Sequence, residues 1–148
     1  MSLRRFTTIL TVALALFPMS FGLRFIFDGA GAASGFGIDP WPTGVAAGYF
    51  PVKGIRDLAL GVVLLALFVA GERRATAITM AIVTLIPIVD MITVLTHGGS
   101  VATALGIHGL TALVVAIDAY LLFRVNRSEA APTAPEPQTS PANEHTPR

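Results

Sequence analysis

Residues 51–70 read PVKGIRDLALGVVLLALFVA, and whether this stretch crosses a membrane decides the architecture of the chain. Its unbroken apolar part, Leu58 to Ala70, is thirteen residues long, about 20 Å of helix at 1.5 Å per residue. A hydrocarbon core is about 30 Å thick and takes roughly 20 residues to cross. To span, the helix must begin near Pro51, a residue favoured in a first turn because the amide it lacks has no helical partner there. That start draws Lys53, Arg56 and Asp57 into or against the bilayer. An earlier start capped by Thr43 would make Pro51 a kink.

Three longer apolar stretches surround it. Phe6 to Phe27 follows Arg4 and Arg5 and is long enough to cross. A secretory signal also opens with basic residues and an apolar run, and Ala30, Ala32 and Ala33 imitate a cleavage site. The run outlasts a usual signal core, however, and bulky Leu23-Arg24-Phe25-Ile26-Phe27 follows Gly22, so it reads as a retained helix. Behind residues 51–70, Gly71-Glu72-Arg73-Arg74 makes a tight turn into Ala75–Leu95, which contains Pro87 and Asp90. A turn at His97-Gly98-Gly99-Ser100 leads to Val101–Phe123, with His108 and Asp118. The expected helices are thus about 6–27, 51–70, 75–95 and 101–123, in one membrane domain over residues 1–127. Asp28 to Phe50 is rich in Gly and Pro and reads as a connection. Its Trp41, Tyr49 and Phe50 suit the membrane–water interface.

Composition agrees. The 148 residues are 53% apolar and 13% charged, against about 25% charged for soluble domains. A net charge of +1 and the lack of a basic run exclude a nucleic-acid surface. There is no cysteine, which removes disulfides, thiolate metal sites and cysteine nucleophiles. Nine of the ten basic residues are Arg, a weak sign of a GC-rich bacterial genome. From residue 128 to 148 the chain holds five of its ten prolines and almost no bulky apolar side chain, so a disordered cytoplasmic tail is expected.

Loops rich in Lys and Arg stay in the cytoplasm. Arg4 and Arg5, Arg73 and Arg74, and Arg124 and Arg127 fall at alternate ends of four spans, hence on one side. The fold expected is an all-α membrane protein of the plasma membrane, an antiparallel four-helix bundle with both termini inside. Counting 1.5 Å per residue then places Arg24 about one turn from the outer end of its helix. Lys53, Arg56 and Asp57 fall in the first two turns of theirs. Asp90 lies roughly 7–8 Å below the outer end, His108 roughly 10 Å, and His97 at the surface. Seven ionisable residues gather in the outer third, while Asp118 lies toward the inner face.

Spacing sharpens the cluster. Lys53 and Asp57 are i, i+4 neighbours; Asp90 and His97, seven apart, would share a face; His108, Thr111, Val115 and Asp118 form one helical stripe. Charge at mid-bilayer costs about 2.5–3.5 kcal/mol on insertion scales, so such residues face the interior and pair. The pairings expected are Arg24 or Arg56 with Asp90, Lys53 with Asp57, and Asp118 with Arg124 or another inner residue. The bland alternatives are helix register for the buried groups and snorkelling to headgroups for Arg24 and Lys53. His97, His108 and Asp90 lack HxxxH or ExxH spacing, so no metal or cofactor is expected. Gly35-Phe36-Gly37 lacks the strand–turn–helix setting of a dinucleotide loop.

Gly35-Phe36-Gly37-Ile38, Val52-Lys53-Gly54-Ile55-Arg56-Asp57-Leu58 with Gly61, Pro87-Ile88-Val89-Asp90, His97-Gly98-Gly99 and His108 resemble a family of small bacterial and fungal integral membrane proteins, domain of unknown function forty-two sixty-seven. The resemblance runs from Leu14 to Phe123 and is most specific at Lys-Gly-Ile-Arg-Asp-Leu. The layout is also, more loosely, similar to DoxX-like membrane proteins. The family implies four helices and carries no established activity.

The function these residues suggest is acid–base chemistry, such as an isomerisation, on a lipophilic small molecule in the bilayer. Asp90 and His108 would exchange protons and Arg56 would hold an anionic or enolic oxygen, with Lys53, Asp57, Arg24 and His97 binding. The alternative is a non-catalytic component that binds lipid or steadies a partner, with the polar set as interhelical glue. A proton-coupled transporter is disfavoured by the lack of an internal repeat.

Overall fold

The computed structural model describes residues 2–130, and side chains as far as Arg127. These residues are helical with no strand. Helix α1, Leu3–Phe27, starts where the Ser2 hydroxyl accepts the Arg5 amide at 3.4 Å. It therefore begins three residues before the expected Phe6 and includes both arginines. The connection expected over 28–50 carries a short α2, Gly29–Ser34, capped by Asp28, and a 3-10 turn, Gly44–Gly48. That turn runs straight into α3, Tyr49–Val69, so Pro51 lies in its first turn.

The third apolar stretch is two helices, α4, Arg73–Val83, and α5, Leu85–Thr96, broken at Thr84. Pro87 explains the break: it has no amide, so the Val83 carbonyl four residues back loses its helical donor. The last stretch comprises α6, Val101–Thr103, a π-helical segment, Ala104–Gly109, and α7, Leu110–Ala130. Residues 128–130, expected in the disordered tail, continue this helix. The rest of the expected tail, 131–148, lies outside the described residues.

Among the described residues, three stretches are long and apolar enough to cross a membrane: Leu3–Phe27, Arg73–Thr96 and Val101–Arg127. Helix α3 is not among them; Lys53, Arg56 and Asp57 crowd its first half. Outward-facing Ile9, Phe17, Ile82, Leu85, Val89, Leu113 and Ile117 are exposed. Apolar surface on this scale is unfit for water and suits contact with lipid chains.

The helices pack as two pairs, α1 against α3 and α4 against α7. Toward the end carrying Arg4, Arg73 and Arg124 the pairs meet, and Ala15, Leu64, Ala77, Met80, Val115, Ala119 and Leu122 form one core there. At the opposite end α1 and α5 stand apart. The α1–α3 seam is set by glycines. A Cβ on Gly22 would lie 2.5 Å from the Gly54 carbonyl oxygen, and one on Gly54 would lie 2.6 Å from that of Gly22. One on Gly61 would strike the carbonyl of Ala15. Close backbone approach of this kind is how membrane helices gain packing energy without a hydrophobic drive.

Gly54→Val is therefore expected to force α1 and α3 apart and cost roughly 1–3 kcal/mol. Thermal unfolding in detergent reads this directly, and an unchanged midpoint would contradict the packing described.

Candidate functional site

Between the two helix pairs lies a cavity of about 120 Å³. Its deep wall is apolar, with Leu14 of α1, Leu64 of α3, Met80 of α4 and Val115 of α7. Nearer the connecting loops it is ringed by Lys53 and Asp57 of α3, Asp90 of α5 and His108 of the π segment. Phe36, from the loop after α2, covers this polar end. Gly37, with φ of 99°, turns the chain behind it, a conformation that favours glycine. The cavity thus has a polar head and an apolar body, as ligand sites in helix bundles commonly do.

Helices α1 and α5, and the segment leading into α7, are irregular beside the cavity. Pro18 removes the helical donor of the Leu14 carbonyl, and Pro87 that of Val83, and all four residues line the space. His108 sits in the π segment, a feature often found at functional sites.

Within the head, Lys53 donates to Asp57 at 2.8 Å. Its ammonium also lies 5.1 Å from the Phe25 ring centre and 5.9 Å from that of Phe36. Lys53 is thereby matched by one carboxylate and two aromatic faces. His108 is buried, its Nε2 2.9 Å from the Phe36 carbonyl and its ring 4.8 Å from the Phe36 ring. A carbonyl only accepts, so the contact assigns a proton to Nε2. The other ring nitrogen, Nδ1, then faces Asp90, whose Oδ2 is 4.0 Å away. That separation is too long for a direct hydrogen bond. Imidazole and carboxylate meet across it with room for a third group.

Four of the seven outer residues thus surround one space, and three do not. Arg56 is exposed, without a hydrogen bond or ion pair among the described residues, and does not line the cavity. Successive helical residues diverge by about 100°, so Arg56 cannot share the face of Asp57. Arg24 is also exposed and donates to the Gly31 carbonyl at 3.4 Å, in the adjoining α2. The expected pairing of either arginine with Asp90 is therefore corrected: His108 faces Asp90. His97 is exposed and bonded to the Thr93 carbonyl at 2.9 Å, because α5 ends at Thr96 and the face shared with Asp90 stops there. Lys53 with Asp57 pairs as expected.

Asp118 is fully buried, and its two carboxylate oxygens accept the Thr11 hydroxyl at 3.1 and 3.0 Å. Of the partners expected, Arg124 or another inner residue, the partner is of the second kind; Arg124 is exposed and lies over the Tyr120 ring at 6.0 Å. Thr11 and Phe36 are the residues that sequence reasoning missed. A partner 107 positions away leaves no periodic trace, although Thr11 follows Thr7 by one turn, and both are buried.

A family model described as Domain of unknown function (DUF4267) matches residues 15–122. No curated protein and no solved structure matches the chain. The looser DoxX-like analogy has no match behind it.

The Thr11–Asp118 bond ties α1 to α7 inside the core. A double-mutant cycle with Thr11→Val and Asp118→Asn is expected to return a coupling of about 1 kcal/mol in detergent unfolding. Additive effects would show that the two side chains do not interact.

Proposed function

The chain belongs to the DUF4267 family, and from that premise we propose that it is a plasma-membrane protein of four spans housing an acid–base site for a lipophilic small molecule. The observation carrying this reading is the approach of His108 Nδ1 to Asp90 Oδ2, 4.0 Å apart in a cavity that is apolar elsewhere. One group takes a proton from the ligand and the other returns one, as an isomerisation requires, with no oxidant or reductant. The Phe36 carbonyl holds the imidazole so that Nδ1 is the working nitrogen. Arg56 has no part in it, and Lys53, matched by Asp57, orders the rim.

Helix α3 is the fourth span in this reading. Its charged first half is tolerable in a bilayer because Lys53 and Asp57 neutralise each other and turn toward the cavity. Both termini lie inside. The Thr11–Asp118 bond supports this by setting the first half of α1 beside the second half of the Val101–Arg127 stretch, and the arginine pairs then share one face.

The glue reading finds its support elsewhere in the molecule. Thr11–Asp118 joins two helices, whereas Lys53–Asp57 lies within one helix and Asp90–His108 is beyond hydrogen-bond length. The outer set is built around a space.

Two measurements test the proposal. The native chain has no cysteine, so Ser100→Cys in intact cells is expected to react with an impermeant maleimide and Glu72→Cys only after permeabilisation; the reverse pattern would overturn the orientation. Purified protein incubated in D2O with a lipid extract of its host is expected to place deuterium on carbon in one component. Asp90→Asn should retain the unfolding midpoint and lose at least about 100-fold of that exchange. Equal exchange by the variant would remove Asp90 from the chemistry.

A further inference from the structure

The proposed site leaves open what kind of head group the cavity accepts, and the charges around it answer that. Lys53 is the one cation among the lining residues, and Asp57 with two phenyl faces already matches it. Asp90 faces no cation within hydrogen-bond reach; its nearest partner is His108 at 4.0 Å. The Phe36 carbonyl commits His108 to present Nδ1 as an acceptor while the ring is neutral. His108 is more than nine-tenths buried, so water cannot readily satisfy that nitrogen. With Asp90 ionised, the lining therefore carries one surplus negative charge, and Asp90 and His108 Nδ1 face each other as acceptors with no donor between them. An anionic head group is repelled by such a lining, and a group that is both cationic and a donor completes it.

The route in is also visible. Phe17 of α1 and Ile86 of α5 line the cavity and are exposed on the outer surface, 49% and 44% respectively. They stand where α1 and α5 make no extensive packing contact with each other. A ligand dissolved among lipid chains reaches the cavity between them without crossing the water layer. Aromatic faces of Phe17, Phe21 and Phe36 along the way favour a cation.

We infer that the ligand is an amphiphilic amine, protonated at its head, which enters sideways from the outer half of the bilayer and sets its ammonium against Asp90, with the adjoining carbon at His108 Nδ1 and its tail along Leu14 and Val115. This inference rests on the acid–base cavity proposed above and names its substrate class. A cationic head also offsets the negative charge that develops when a carbon proton is removed beside it.

Three probes with the same tail test it: octylamine at pH 7, octanol and octanoate. Each is titrated calorimetrically into the full chain in phosphatidylcholine nanodiscs, with empty nanodiscs subtracted. Octylammonium is expected to bind at least about tenfold more tightly than octanol, and octanoate not measurably. Asp90→Asn should erase that preference, while Asp39→Asn, in the exposed connecting loop, should keep it. Octanol binding as tightly as octylammonium, or a preference that survives Asp90→Asn, would overturn the amine assignment and leave the cavity reading standing. Failure of all three probes to bind would overturn both. Should Asp90→Asn not fold, the ranking on the unmodified chain still decides.

Discussion

A carboxylate held within a hydrocarbon layer has to find its partners in the same protein, because lipid chains offer none. The arrangement of this molecule follows from how that demand is met twice, in opposite ways. Asp118 is enclosed among close-packed small and apolar residues and satisfied by a single hydroxyl from α1. Asp90 is left facing an imidazole at a distance that only another group can bridge. The first closes one end of the helix assembly and the second keeps the other open. Closure near Asp118 holds the two helix pairs together, which allows them to part around Asp90.

The parting has a cost in regular helix geometry, concentrated at the cavity. Pro18, the Thr84 break before Pro87, and the π segment through His108 each interrupt the ladder of hydrogen bonds where a helix borders the space. Away from it, the seam of α1 and α3 is regular and tight, with Gly22, Gly54 and Gly61 bringing backbone against backbone. Rigid packing along one seam and interrupted helices along the other is an economical way to hold a few polar groups at fixed separations in a thin layer. Phe36 completes the frame from a loop, touching His108 through its carbonyl and Lys53 through its ring. A single residue outside the long helices thereby sets the direction of the imidazole.

Much of this was legible in residue order. The apolar runs announced helices, and the structure carries them nearly where expected, with α1 starting earlier and α7 running through residue 130. The i, i+4 pair Lys53–Asp57 was readable because both partners lie one turn apart on one helix. The stripe of His108, Thr111, Val115 and Asp118 was readable for the same reason and does face inward. The readings that failed turned on which way a residue faces around its helix and on where the helix ends. Arg56 was assigned to Asp90 from depth alone, and its azimuth turns it away from the cavity. His97 was carried along the face of Asp90 across a helix end that stops it.

Periodicity, charge and length were therefore enough to read helices, with membrane-length apolar segments, through the described residues, and to place the ionisable residues along them. These are properties of single helices, which local spacing encodes. Tertiary structure alone decided that His108 faces Asp90, that Thr11 holds Asp118, and that a loop phenylalanine aims the imidazole. Each depends on the rotation and approach of separate helices. That is governed by side-chain volume at contacts far apart in the chain, such as Gly22 against Gly54, and no local pattern records it.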